Sequence, residues 1–258
     1  MLADLTSGAV EDARAREVEL PFAELERRAL AVAPAIDALA ALAPTDTVRI
    51  IAEVKRASPS RGDLAEIPDP ALQARLYEQG GASAISVLTE GRRFKGSLAD
   101  LAAVRAAVSL PVLRKDFIAT AYQVFEARAA GADLVLLIAA ALDQPTLATL
   151  HELVLELGMT PLVETHNLDE VRRASEIGAR LVGVNARDLT TFELDRDLFG
   201  RLAEHLPADA IKIAESAVKT PEDVLHYRAA GADVVLVGEA LVTGDPVATL
   251  RDFLAVPA

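Results

Sequence analysis

Residues 128–136 read Arg-Ala-Ala-Gly-Ala-Asp-Leu-Val-Leu, and residues 228–236 read Arg-Ala-Ala-Gly-Ala-Asp-Val-Val-Leu. Two looser copies accompany them, Gly81-Ala82 ahead of a run ending at Leu88 and Gly178-Ala179 ahead of Arg180-Leu-Val-Gly-Val184. The glycines at 81, 131, 178 and 231 thus recur about every 50 residues. Each stands where a helix would close on a left-handed residue and a buried strand would begin. A second series of short apolar runs falls between them: Ile50–Val54, Pro111–Leu113, Pro161–Val163 and Ile211–Ala214. Interleaved, the two series predict eight strands, each followed by a helix-length stretch such as Tyr122–Ala130 or Gln144–Leu157. The strands are short and apolar throughout, as parallel strands covered on both faces require. Eight such units with a repeat near 100 residues predict an α/β fold of the (β/α)8 barrel type. A doubly wound open sheet fits a regular four-plus-four repeat less well.

The 258 residues are close to the roughly 250 typical of such a barrel, so a single domain over 1–258 is expected. Residues 1–48 precede the first strand and predict an N-terminal helical extension, with the barrel at 49–258. Pro21 suits the first turn of a helix running to about Leu39. The extension either covers an end of the barrel or takes a direct part in substrate binding.

Composition narrows the function. A net charge of −13 disfavours a nucleic-acid partner, which calls for a basic face, yet permits a small anion in a locally positive pocket. The longest apolar run, Leu134 to Leu142, is far short of the roughly 20 residues a bilayer requires, so no membrane association is expected. The start, Met1-Leu2-Ala3-Asp4 with Glu11 and Asp12 soon after, resembles neither a secretory signal nor a basic transit peptide. There is no cysteine, hence no disulfide, thiolate nucleophile or Cys-based metal site. A cytoplasmic location is expected. His151, His166, His205 and His226 are scattered without metal-site spacing and read as surface or packing residues.

In barrel enzymes chemistry sits at the C-terminal ends of the strands. Here those ends carry polar residues: Glu53 and Lys55 on the first, Lys115 on the third, Glu164 on the fifth, Asn185 and Arg187 on the sixth, Glu215 and Ser216 on the seventh. Glu53 and Lys55 are two apart and face one side of their strand. Any one of these also fits a solvated strand terminus or a rim ion pair, but the set together points to a charged mouth. Lysine there can act as general acid and a partly buried glutamate as general base. Of 26 basic residues only five are lysine, which favours a titratable amine where one is kept. Ser216 and Gly238-Glu239, after strands seven and eight, fall where barrels commonly hold phosphate.

Several of these segments resemble indole-3-glycerol phosphate synthase. They are Ile51-Ala-Glu-Val-Lys-Arg-Ala-Ser-Pro-Ser60, Ser86-Val-Leu-Thr-Glu90 with Phe94, Pro111-Val-Leu-Arg-Lys-Asp-Phe117, Leu162-Val-Glu164, Gly183-Val-Asn-Ala-Arg187 and Ala214-Glu-Ser216. The resemblance runs from about residue 5 to the C-terminus. It implies conversion of an anthranilate-derived ribulose phosphate to an indole with loss of carbon dioxide and water, without cofactor or metal. It assigns Lys115 as the general acid for ring closure and leaves the dehydration steps shared among Lys55, Glu53 and Glu164. Asn185 would orient a sugar hydroxyl, with Arg187 and Glu215 completing the polar lining. Phe94, Phe117, Ile138 and Leu189 would form an apolar slot for the ring. Ser58, Ser216, Gly238 and Glu239 would hold the phosphate, the last two through backbone N–H groups. A monomer, or at most a weak homodimer, is expected. The chain departs from the family pattern at Ala217, where glycine is usual. A phosphoribosyl isomerase and a catalytically silent phosphate-binding barrel are the alternatives.

Overall fold

The computed structural model describes residues 1–188 and 191–257. Eight parallel strands close into a barrel: β1 (Arg49–Val54), β2 (Ala84–Leu88), β3 (Val112–Lys115), β4 (Leu134–Ile138), β5 (Thr160–Thr165), β6 (Leu181–Asn185), β7 (Ile211–Glu215) and β8 (Val234–Val237). Each pairs with its sequence neighbours, and β8 closes on β1 with Arg49 opposite Val234. A short antiparallel ladder, Ala57–Ser58 with Gly62–Asp63, projects after β1. Among the described residues no helix is long and apolar enough to cross a membrane.

The repeat read from the sequence has a concrete form. Gly131 and Gly231 adopt φ of 86° and 93°, as helix-closing residues must. The amides after them reach back identically: Ala132 N–H to the Ala127 carbonyl at 2.9 Å, and Ala232 N–H to that of Tyr227 at 3.0 Å. Asp133 and Asp233 then act as matched braces. Their carboxylates accept from the backbone N–H of Val112 (2.8 Å) and Lys212 (2.9 Å), each on the preceding strand. Helices α6 (Ala121–Ala129) and α10 (Pro221–Ala229) open on equivalent capping boxes, Thr120/Gln123 and Thr220/Asp223. The chain builds one half-barrel device twice.

The N-terminal extension forms α1 (Leu2–Glu19), α2 (Phe22–Ala31) and α3 (Ala38–Leu42). The helix expected to continue to Leu39 stops at Ala31. Pro34 disfavours helical backbone at the residue before it, and the chain is already extended at Val32, with ψ of 145°. Arg128 donates to the Val32 and Ala33 carbonyls, and Asp133 accepts from Ile36 N–H at 2.7 Å, fastening this stretch to the barrel. Ala38 and Leu42 share an apolar cluster with Ala84, Leu134, Leu181 and Val234, all at strand starts, and so cork the lower end.

Candidate active site

Alternation along β3 separates three adjacent charges. Arg114, fully buried, turns to the helix side, where it donates to Asp116 (3.0 Å) and the Gln123 carbonyl (2.6 Å) and approaches Glu126. Glu126 also receives Arg16 of α1 (2.9 Å), so an ion network that begins in the extension braces this strand end. Lys115 points the other way, into the barrel mouth. Its Nζ lies 3.0 Å from Glu164 Oε2 and 3.2 Å from Glu215 Oε2.

Burial disfavours charge on Lys115, but Glu164, Glu215 and Glu53 outweigh it and hold the ammonium well above its ordinary pKa. The two carboxylates part company. Burial would raise Glu164, yet Lys115 and His166 together keep it far below the usual carboxylate range. Burial also raises Glu215; Lys115 offsets this in part, Glu164 adds to it, and the pKa is pushed up to about 8. Lys115 is shared between the two carboxylates, and Glu164, with His166 against its other oxygen, holds its charge the more readily. Glu215 has room only because Gly183 of β6 lacks a side chain, since a Cβ there would fall 2.1 Å from Glu215 Oε1.

The remaining polar groups are tied to this cluster. Asn185 Nδ2 donates to Glu164 Oε1 (3.2 Å), while its Oδ1 accepts from Ser216 Oγ (2.8 Å) and Arg187 N–H (3.0 Å). Glu53 and Lys55 pair at 2.6 Å, beside Gly238, whose missing Cβ would fall 2.6 Å from Glu53 Oε2. Together they line a cleft of about 1180 Å³, its open mouth included. One wall is apolar: Leu5 of α1, Phe94, Phe117, Leu136 and Ile138, the two phenyl centroids 6.1 Å apart. Another carries Ser58, Ser216, Gly238 and Glu239, where a one-turn helix, α11 (Glu239–Val242), begins.

A charged mouth flanked by an apolar slot and a small-residue wall is what an anionic aromatic sugar phosphate would need. A family model described as indole-3-glycerol phosphate synthase matches residues 2–253. The chain belongs to the indole-3-glycerol phosphate synthase family. The indole-3-glycerol phosphate synthase of Leifsonia xyli subsp. xyli is 73% identical over 256 residues, covering 99% of this chain and 98% of that one. That of Beutenbergia cavernae is 55% identical, covering 100% of this chain and 96% of that one. Among solved structures, a 3-hexulose-6-phosphate synthase superposes with a TM-score of 0.65 at 19% identity, over 82% of this chain and 100% of that one, a likeness of fold alone.

Against the family pattern, every expected site residue among the described ones lines the cleft, while Leu189 lies outside the described residues. Arg187 lines it too, but its guanidinium donates to the Phe192 carbonyl (3.2 Å) and steadies its own loop. The Glu239 carboxylate is engaged by Arg61 (3.2 Å) and Lys219 (3.6 Å).

Four features escaped the sequence reading. Lys219 and Leu5 line the cleft. Buried Glu90 accepts from the amides of Arg92 (2.8 Å), Arg93 (2.7 Å) and Phe94 (2.9 Å), shaping the loop that presents Phe94. The fourth corrects an expectation: His166 is no surface or packing residue. Its Nε2 lies 3.3 Å from Glu164 Oε1 and its Nδ1 3.1 Å from Glu170 Oε2.

Proposed function

We propose that this mouth performs the family's ring closure, decarboxylation and dehydration of 1-(2-carboxyphenylamino)-1-deoxyribulose 5-phosphate to indole-3-glycerol phosphate. The chain is a carboxy-lyase of tryptophan biosynthesis. The observation that carries the assignment of roles is Lys115 bracketed by Glu164 and Glu215 at the foot of the Phe94–Phe117–Ile138 slot.

The aromatic ring lies in the slot and the phosphate against Ser58, Ser216 and the Gly238 and Glu239 amides. The carboxylate-bearing ring carbon then attacks the ribulose carbonyl carbon, and Lys115 protonates the oxygen that receives the displaced π electrons. The iminium so formed accepts the electron pair released with carbon dioxide, so no separate electron sink is required. Dehydration delivers a second proton to the departing hydroxyl and removes one from the former sugar carbon. Lys55, Glu53 and Glu164 share these transfers, and Asn185 orients the hydroxyl. Two protons enter and one leaves, which balances the conversion of a carboxylate to neutral carbon dioxide. Glu215, with its pKa near 8, can return a proton to Lys115 between turnovers. The substrate's charges keep it from crossing a bilayer unaided, so enzyme and supplier share a compartment, which we take to be the cytoplasm. We take the working form to be a monomer or at most a weak homodimer.

The test is to mix the purified protein with this substrate, without added metal or cofactor, and follow indole fluorescence. A rapid rise supports the reading. Absence of indole from a folded protein that binds the substrate overturns it.

A further inference from the structure

His166 sits behind the cleft wall, its side chain only 12% exposed, and is held at both edges of its ring. Glu170 Oε2 takes the His166 backbone N–H at 2.7 Å and faces Nδ1 at 3.1 Å. Glu170 is itself fixed, because Asn167 donates to its other oxygen (2.6 Å) while capping α8 (Leu168–Glu176) through the Glu170 amide (3.0 Å). The opposite edge presents Nε2 to Glu164 Oε1 at 3.3 Å, an ion-pair contact without aligned hydrogen-bond geometry. Both ring nitrogens thus face carboxylate oxygens, which can only accept, and a ring in that setting keeps both its protons.

Charge counting gives this consequence. Glu170 from α8 and Glu164 from β5 face the ring; Lys115 from β3 and Asn185 from β6 touch Glu164; Glu215 from β7 shares Lys115. Three carboxylates meet two cations. Glu164 and Glu170 touch the imidazolium directly, whereas Glu215 has only its share of Lys115. Glu215 Oε1 is buried without a partner, the oxygen on which a proton costs no existing bond.

We propose that His166 is a permanently charged positioning residue that fixes Glu164 as the ionised carboxylate of the site and so leaves Glu215 as the one that holds a proton beside Lys115. The inference rests on the roles given above to Lys115 and Glu164. Burial opposes the ring's charge, but Glu164 and Glu170 outweigh it and push its pKa up to about 10, in keeping with the geometry.

Two measurements test it. The first is ¹⁵N NMR of the histidine-labelled whole protein at pH 8, with the His166 signals assigned by their loss in His166→Gln. Both ring nitrogens are expected to be protonated, where an ordinary histidine of pKa about 6.5 is mostly neutral. A neutral His166 ring overturns the proposal whether or not the enzyme forms indole, so this arm is independent of the assigned reaction. The second is the pH profile of His166→Gln, which keeps a donor and removes the charge. Without the cation Glu164 gains a proton more readily, so the acid limb of kcat moves up by a unit or more. Turnover at pH values below the parent's acid-limb midpoint should fall about tenfold for each unit the limb moves, turnover at pH 8.5 should fall less than threefold, and KM should stay within twofold. A uniform loss with an unmoved limb marks a merely structural residue and overturns the proposal. His166→Asn serves both measurements if the glutamine variant does not fold.

Discussion

Lys115 and Glu215, 100 residues apart, occupy the same place in the two copies of the half-barrel repeat and meet across the mouth at 3.2 Å. The repeat that builds the barrel therefore also delivers a cation and a carboxyl to one point. If Lys115 is the acid of ring closure, Lys115→Met should lower kcat by about a hundredfold or more, the usual worth of a positioned general acid. KM should move far less, because the apolar slot and the wall carrying Ser58, Ser216 and Gly238 are untouched. Steady-state kinetics decide, and retention of most activity removes Lys115 from the role.

Glu215 has a stability signature separate from catalysis. Its folded pKa, about 8, lies above the roughly 4.3 of an unfolded glutamate, so the folded chain holds this proton the more tightly. The stabilisation is complete below the unfolded value and is lost as pH rises through about 8. Glu215→Gln cannot ionise and escapes that loss. Denaturant unfolding at pH 5 and pH 8 should show the variant gaining on the parent by more than about 1 kcal/mol across that interval, one pKa unit being worth about 1.4 kcal/mol. Parallel pH dependence in the two proteins would mean that Glu215 is ionised throughout.

Gly183 makes a steric prediction. A methyl group at this β6 position would fall 2.1 Å from Glu215 Oε1, so the carboxyl must swing aside within the cleft it lines. Gly183→Ala should displace Glu215 from Lys115 and reduce turnover at least tenfold. The control is Gly200→Ala in α9 (Leu198–Ala203), whose Cβ would meet nothing closer than 3.6 Å. It should leave turnover unchanged and stabilise the helix by about 0.5–1 kcal/mol. Equal kinetics for the two variants would show that Glu215 does not need its present place.

The barrel was legible in advance because its signals are local. Gly131 and Gly231 close helices within one turn of chain, and the strands after them are uninterrupted apolar runs. The strand-end charges were legible for the same reason, since alternation alone puts Lys115 and Arg114 on opposite faces. His166 was not. Its partners lie two residues before and four after, a spacing that acquires meaning only when the chain turns from β5 into α8 and swings the ring between them. The same holds for Leu5, which reaches the cleft through the path of α1. The break at Ala31 was present in the sequence as Pro34, but the helical character of the surrounding residues masked it.

Ala217 stands where the resemblance implied glycine, at a position whose backbone makes the difference measurable. Ser216 and Ala217 both adopt left-handed φ, 71° and 58°, in the loop after β7. Ser216 is held there by its Oγ bond to Asn185 and by the Tyr227 hydroxyl on its carbonyl (3.3 Å), whereas the Ala217 side chain carries no polar group with which to offset strain. A left-handed alanine costs about 1–2 kcal/mol, and glycine's extra freedom in the unfolded chain returns about 0.5–1 of that. Ala217→Gly should therefore stabilise the fold by roughly 0.5–1 kcal/mol, read as a raised denaturation midpoint at unchanged m-value. Because the loop backbone already has the shape glycine favours, KM should shift less than threefold. A destabilised variant would mean that the alanine methyl contributes packing worth more than the strain it creates. A large rise in KM would mean instead that alanine's stiffness helps the loop hold the phosphate.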